Sequence, residues 1–212
     1  MSEPKIPVVL LHGALRSSVG MWPTARFLAR HGLVARGFDY ATRAHGLLQH
    51  AERLAAFVRD WLGPRPPVLG FLTHSMGALV VRMYLGSFAD ELGAEQRVVM
   101  LSPPNRGSVL AARNRDRALF RWIYGRAAEV LVPERAQSLP PLPPTARALV
   151  LAGGRGDPRG FNPLLPGDDD GVVAVAEMGL PGVEPTFVGG LHATLQWRRA
   201  VLSRAAAFLA GE

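Results

Sequence analysis

Six short apolar runs, rich in valine and leucine, alternate along this chain with longer stretches of helical periodicity. Each run is nearly continuous in apolar character, which is typical of strands buried on both faces of a parallel sheet. Strands that alternate with helical stretches are the pattern of α/β folds. The sequence therefore predicts a mostly parallel sheet of about six strands with helices on both sides. The predicted strands are residues 7–11, 33–37, 67–72, 97–101, 147–152 and 184–188.

Four stretches repeat apolar residues at the i, i+3 and i+4 spacing of amphipathic helices, namely residues 21–31, 49–62, 76–88 and 195–209. Residues 105–145 are too long for one simple connection. They include a helical pattern at 119–132, and we expect either edge helices or a small lid. No repeat or boundary divides residues 1–212, so a single domain is predicted.

The positive charge of the chain is spread widely. The net charge is +7, Lys5 is the only lysine, and the arginines are scattered singly except in residues 113–126. Nucleic-acid binding calls for a basic cluster interleaved with aromatic residues, so no nucleic-acid partner is expected. A solvated surface is the simplest interpretation, and an anionic membrane surface or acidic substrate is the alternative. No apolar run approaches the ~18 residues of a transmembrane helix.

A serine lies where the third apolar run meets a helix, in the segment T-H-S-M-G of residues 73–77. A sharp strand-to-helix turn lifts such a hydroxyl above the sheet and requires small residues two positions before and after it. Gly77 meets this requirement, whereas Thr73 stands where glycine is usual. Ser75 is therefore a candidate nucleophile. The alternative is that Ser75 caps an ordinary helix.

A second segment, L-H-G-A-L of residues 11–15, follows the first predicted strand. Acyl transfer develops negative charge on a carbonyl oxygen, and two backbone N–H groups can stabilise that charge. The candidate donors are Ala14 in this segment and Met76 after the serine. The alternative is a simple tight turn. The residues expected to border the substrate are His12, Gly13, Leu15 and His74.

Together these residues resemble the α/β-hydrolase superfamily, and within it the small bacterial lipases and esterases. The resemblance covers nearly the whole chain and implies a three-layer α/β-hydrolase fold with a minimal sheet, in which strand 7–11 corresponds to the family's third strand. The family needs no metal or cofactor. Its chain order of nucleophile, acid and histidine implies His192 as the base, because the other five histidines precede Ser75.

Two regions offer an acid to orient His192. Asp170 opens the segment D-G-V-V, which resembles the D-G-x-V segment of lipase-like hydrolases, and it is the preferred candidate. Asp157 is the alternative, because it follows the predicted strand 147–152. The alternative is that both regions are acidic turns, in which Asp168 and Asp169 only solvate the loop. Consecutive aspartates lack the alternate carboxylate spacing of a calcium loop, so no metal site is expected here.

Residues 102–108, S-P-P-N-R-G-S, follow the fourth predicted strand and resemble a segment that borders the active site in several lipase families. The alternative is a turn that places Ser108 as the N-cap of the next helix.

The resemblance implies a serine hydrolase that cleaves small carboxylic esters through Ser75, His192 and Asp170. Acyl transfer, thioester hydrolysis and a non-catalytic ligand-binding protein of the same fold remain alternatives. No secretion signal is evident, so a cytoplasmic location is expected, and the oligomeric state is open.

Overall fold

A computed structural model describes residues 5–63, 66–88, 91–92 and 95–212 of the chain. Within these residues, six strands form one sheet in the order β2-β1-β3-β4-β5-β6, and every neighbouring pair is parallel. The prediction of a six-stranded parallel sheet is therefore confirmed. The strands are β1 (Pro7–Leu11), β2 (Val34–Phe38), β3 (Val68–His74), β4 (Glu95–Leu101), β5 (Ala146–Ala152) and β6 (Thr186–Phe187).

Helices cover both faces of this sheet. The α-helices are α1 (Trp22–Ala29), α2 (Leu47–Leu62), α3 (Gly77–Ser87), α4 (Val109–Asn114), α5 (Ala118–Tyr124), α6 (Ala127–Val130), α7 (Pro133–Gln137), α8 (Val175–Met178) and α9 (Arg199–Ala210). Short 3-10 helices occupy Ser18–Met21 and His192–Trp197. Within the described ranges, every helix is too short or too polar to cross a membrane.

Two apolar clusters, one on each face, hold the sheet between its helices. The side chains of β1 alternate between them, with Val8 and Leu10 facing α1 and α9 and the intervening residues facing α2 and α3. Leu28 of α1 belongs to the first cluster, and Leu54 of α2 and Leu79 of α3 belong to the second. The chain therefore forms three layers, and the loops that follow the parallel strands all open at one edge.

The structure corrects several sequence-based boundaries. β2 is an outermost strand of the sheet and has a neighbour on one side only. Val34 is therefore 41% exposed, contrary to the expectation that every strand is buried on both faces. The last helix begins at Arg199, because the preceding residues form a 3-10 turn.

Residues 119–132, expected as one helix, form α5 and α6 with a break at Gly125. This glycine has a φ of 55°, and a side chain there would meet the carbonyl oxygen of Arg43 at 2.5 Å.

Candidate active site

Ser75 sits in a strained turn between β3 and α3. Its φ is +53°, which is unfavourable for any residue with a side chain. Gly77 is required two residues later, because a Cβ atom there would lie 2.9 Å from the carbonyl oxygens of Leu11 and His12. Thr73 is tolerated two residues earlier, where its hydroxyl donates to the carbonyl oxygen of Val99 at 3.3 Å. α3 has no side-chain N-cap hydrogen bond, so the alternative of a helix-capping serine is wrong.

The loop after β1 lies directly against this turn. A Cβ atom on Gly13 would lie 3.1 Å from the Cβ of Ser75. The loop continues through Leu15, whose φ is +60° and whose N–H donates to the hydroxyl of Thr42 at 3.2 Å. Within the described part of the chain, the N–H groups of Ala14 and Met76 donate no hydrogen bond. Two backbone donors beside Ser75 are thus free to bind an external oxygen.

His192 and Asp170 form a buried pair. The Nδ1 atom of His192 lies 2.7 Å from Oδ2 of Asp170, and the N–H of His192 donates to the carbonyl oxygen of Asp170 at 2.9 Å. The other carboxylate oxygen accepts the N–H groups of Val172 at 3.0 Å and Val173 at 2.8 Å. Side chain and main chain together hold the imidazole against the carboxylate.

The environment of Asp170 keeps its carboxyl group ionised. Burial alone raises the pKa of Asp170, but the hydrogen bond and charge of His192, with hydrogen bonds from Ser102 and Val173, lower it below its usual 3.8. An ionised carboxylate accepts the Nδ1 proton of His192. The lone pair of the neutral imidazole is then on Nε2, the nitrogen a general base would use.

Ser102 contacts the carboxylate of Asp170, and the sequence did not predict this contact. It directly follows β4, is fully buried and has a φ of +43°. Its hydroxyl hydrogen-bonds the carboxylate of Asp170 and also accepts the N–H of Gly153 at 3.1 Å. The available signal was a serine at the end of a strand beside the one that precedes Ser75, since both strand ends lie at the same sheet edge.

His12 and His74 are buried beneath the loops that carry the proposed catalytic groups, and each residue is only 1% exposed. That these two side chains border the substrate stays a prediction. His12 stacks on Tyr40 with ring centroids 4.3 Å apart. His74 lies 4.7 Å from His192, centroid to centroid, and its Nε2 approaches the carbonyl oxygen of His192 at 2.9 Å. Burial, followed by the charge of His192, lowers the pKa of His74 to about 3.

The other candidate aspartates lie elsewhere. The carboxylate of Asp157 is a third exposed and pairs with Arg155 at 3.0 Å and Arg159 at 3.5 Å. Asp168 accepts the N–H groups of Arg155 and Gly156, at 2.8 and 2.9 Å. These contacts leave Asp157 outside the pair formed by Asp170 and the imidazole.

Asp169 is fully buried. It accepts the N–H of Gly171 at 2.6 Å and the N–H of Asn162 at 3.1 Å. The alternative that Asp168 and Asp169 only solvate the loop is therefore wrong, since both accept main-chain hydrogen bonds next to the turn that carries Asp170.

Residues 102–108, which follow β4, connect the helices around the site. Ser108 caps α4 by accepting the N–H of Ala111 at 3.3 Å, as one of the two sequence interpretations predicted. Asn105 is buried, and its amide donates to the carbonyl oxygen of Met178 at 2.8 Å. The main-chain carbonyl oxygen of Asn105 accepts a hydrogen bond from the guanidinium group of Arg82 at 2.8 Å. This segment joins α3 to α8, the helix that follows Asp170.

No protein-family model matches the sequence, and no curated protein matches it significantly. The structure is similar to the mature lipase BlEst2 of Bacillus licheniformis, with a TM-score of 0.70, 18% identity, and 99% of this chain and 89% of that chain covered. A metagenomic carboxyl esterase matches with a TM-score of 0.75, 19% identity, and coverage of 99% and 77%. A Pyrococcus furiosus esterase matches with a TM-score of 0.60, 20% identity, and coverage of 99% and 84%. The chain has the α/β-hydrolase fold over nearly its whole length, as the sequence predicted.

Proposed function

We propose that this chain is a serine hydrolase that cleaves carboxylic esters, with Ser75 as nucleophile, His192 as general base and Asp170 as the acid that orients the imidazole. The observation that carries the proposal is the buried 2.7 Å contact between His192 and Asp170 on the same sheet edge as the strained Ser75 turn. In the structure, no hydrogen bond joins the Ser75 hydroxyl to His192 among the described residues. Such catalytic contacts often tighten only when substrate binds.

Acylation begins when the Ser75 oxygen attacks the ester carbonyl carbon while Nε2 of His192 takes the hydroxyl proton. Asp170 stabilises the imidazolium that forms. The N–H groups of Ala14 and Met76 bind the tetrahedral oxyanion, and losing one such donor typically costs about 3 kcal/mol of transition-state stabilisation. The intermediate collapses, and the imidazolium gives its proton to the departing alcohol.

Deacylation follows the same steps, with water as the nucleophile and the Ser75 oxygen as the leaving group. His192 removes a proton from a water molecule, which attacks the acyl carbon, and the second tetrahedral intermediate releases the carboxylic acid and restores the Ser75 hydroxyl. Transfer of the acyl group to another alcohol or thiol differs only in the acceptor. Comparing hydrolysis with transfer to added acceptors distinguishes the two reactions.

Two observations support the ester class. The lipase and esterases whose structures resemble this chain are named for that chemistry. The loops that carry the proposed catalytic groups also present exposed apolar side chains, with Leu15, Val172 and Leu191 between 43% and 48% exposed. Such side chains suit contact with an acyl group.

Labelling with a fluorophosphonate probe tests the proposal, because the probe reacts with an activated serine. We expect stoichiometric modification of the wild type at Ser75 and none of Ser75→Ala. Turnover of 4-nitrophenyl butyrate should fall by roughly 10⁴-fold or more in Ser75→Ala and His192→Ala. Ser87→Ala, at the exposed end of α3, is the matched control and should retain wild-type activity. Failure of the folded wild type to react would instead favour a non-catalytic ligand-binding protein.

A further inference from the structure

Two adjoining clefts open on the loops that follow β1 and β2. The inner cleft, of about 590 Å³, is bounded by residues 15–17 and 39–44 together with Arg53. The outer cleft, of about 730 Å³, lies between residues 43–44 and the helical segment 115–135. The two clefts share Arg43 and Ala44. Because β1, β2 and β3 are parallel neighbours, both clefts lie at the sheet edge where Ser75 lies.

Arginine is the most frequent residue in the lining of each cleft. Seven arginines face three carboxylates there, so the clefts hold four of the chain's seven net positive charges. Arg115 and Arg126 have carboxylate partners at 3.4 to 3.7 Å. Five have none within the described residues, and these are Arg16, Arg43, Arg53, Arg121 and Arg135. A surplus of guanidinium groups without carboxylate partners in a concave surface favours the binding of an anion.

The wall between the clefts is held in place. A guanidinium nitrogen of Arg43 donates to the carbonyl oxygen of Trp122 at 2.6 Å, and the guanidinium lies 6.0 Å from the centroid of the Trp122 ring. The carbonyl oxygen of Arg43 accepts the N–H of Arg126 at 3.0 Å. The absent side chain of Gly125 permits this close approach. The fold therefore fixes the position of Arg43 between the two clefts.

The inner cleft is continuous with the loop that carries a proposed oxyanion donor. Arg16 is two residues from Ala14, and Leu15 is tied to Thr42 by its N–H. The charge of Arg16 reaches the residue before Ser75, since it adds to the effects of burial and of His192 in lowering the pKa of His74. An anion bound in the inner cleft would therefore lie next to the loop that carries Ala14, and the outer cleft adjoins this one at Arg43.

We propose that these clefts bind an anionic group, a phosphate or carboxylate, on the alcohol part of a small, dissolved ester substrate. The proposal rests on the ester hydrolase activity proposed above and adds the substrate class. Guanidinium groups bind phosphate and carboxylate oxygens through paired N–H donors, and they remain charged at every physiological pH. The exposed apolar residues Leu15, Val172 and Leu191 would contact the acyl part, while the arginines would hold the charged part of the alcohol.

A matched pair of substrates tests this proposal. 1,2-dibutyrylglycerol 3-phosphate and 1,2-dibutyrylglycerol carry the same ester bonds and differ by one phosphate. At low ionic strength we expect kcat/KM to favour the phosphate by about tenfold or more, which corresponds to one good charge-assisted contact. The preference should shrink as NaCl rises, because salt screens exposed charges. Equal kcat/KM values for the two esters would overturn the proposal.

The double variant Arg121→Gln/Arg135→Gln removes two unpaired guanidinium groups that make no described side-chain hydrogen bond. We expect the phosphate preference to fall at least about fivefold. The double variant Arg26→Gln/Arg30→Gln is the matched control, because it also removes two positive charges and both arginines are exposed and lie outside both clefts. A preference lost equally in both variants would reflect overall charge and contradict a specific site.

Two further measurements separate the alternatives. Calorimetric titration of Ser75→Ala with each ester reports binding without turnover. Tighter binding of the phosphate ester would support anion binding in the clefts even if neither ester is hydrolysed and the proposed function fails. Equal binding of the two esters would contradict anion binding in the clefts, whatever the hydrolysis result. Sedimentation with phosphatidylglycerol and phosphatidylcholine vesicles tests lipid headgroups as the source of the anion. Vesicle binding without any preference among dissolved esters would overturn the assignment to a soluble substrate.

Discussion

The Nε2 atom of His74 lies 2.9 Å from the main-chain oxygen of His192, so the residue before Ser75 holds the loop that carries the imidazole. Burial, then the charge of His192, lowers the pKa of His74 to about 3, and the ring is therefore neutral at physiological pH. A neutral ring protonated on Nε2 donates to the His192 carbonyl. His74 is thus a positioning residue for the proposed base.

We predict that His74→Leu lowers kcat for 4-nitrophenyl butyrate by about tenfold, because one buried hydrogen bond is lost and the His192 carbonyl is left unpaired. His74→Gln should recover most of this loss, since its amide nitrogen can donate near the same point. The pH profile should keep its inflection, because His74 does not titrate in the active range. Equal losses in both variants would indicate that packing, and not this hydrogen bond, is what His74 provides.

The contacts of Asp170 and Asp157 predict how much each carboxylate contributes to turnover. Asp170→Asn should lose at least about 100-fold in turnover, because an amide favours the wrong imidazole tautomer. Asp157→Asn should lose less than about tenfold, since Asp157 is a third exposed and pairs only with nearby arginines. Steady-state kinetics of both variants check this ranking. A larger loss in Asp157→Asn would reassign the acid.

Ser102→Ala should destabilise the protein in a pH-dependent way. The Ser102 hydrogen bond helps to hold the pKa of Asp170 below its usual 3.8, so its loss raises the folded-state pKa. A depressed carboxyl pKa stabilises the fold above the unfolded-state value, and this contribution disappears as pH falls through the folded-state pKa. The difference in unfolding free energy between wild type and Ser102→Ala should therefore be largest above about pH 5 and shrink below about pH 4. Chemical denaturation across this range measures it.

Part of the Ser102→Ala effect should persist at low pH, because the N–H of Gly153 also loses its acceptor. A difference that stays constant from pH 3 to pH 7 would mean that the hydroxyl does not act on the Asp170 carboxylate.

Gly77→Ala should lower the free energy of unfolding by about 1–3 kcal/mol, as overpacking in a tight site typically does. The new methyl group would press on the carbonyl oxygens of Leu11 and His12 at 2.9 Å. Gly20→Ala is the matched control, because a Cβ atom there meets nothing within 4 Å. Thermal unfolding should show a loss of several degrees for Gly77→Ala and almost none for the control. Similar melting temperatures for the two variants would show that the turn can relax.

Much of the fold followed from the sequence because its signals are local. The alternation of apolar runs and helical stretches predicted six parallel strands, since a strand buried between helices must be apolar on both faces. The structure departs from the predicted strands in the two outermost strands of the sheet, where this rule fails. β2 has a neighbour on one side only, and β6 reduces to Thr186–Phe187.

The Ser75 turn was also readable from sequence, since the serine, the glycine two residues later and the flanking strand and helix are contiguous. What the sequence left open was the acid, because Asp157 and Asp170 both follow β5. Asp170 and His192 are 22 residues apart, and only the folding of that intervening chain brings their side chains to 2.7 Å.

The sequence by itself determined the fold class and the candidate nucleophile, because apolar runs and a strand-to-helix turn are properties of neighbouring residues. The candidate base followed from the chain order that the family resemblance implies. The tertiary structure decided which aspartate meets the imidazole, that Ser102 braces this aspartate, and that His12 and His74 are buried supports. It also gathered scattered arginines into two clefts. Each of these depends on loops from distant strands meeting at one sheet edge, and a contact between distant loops leaves no periodic or local pattern in the chain.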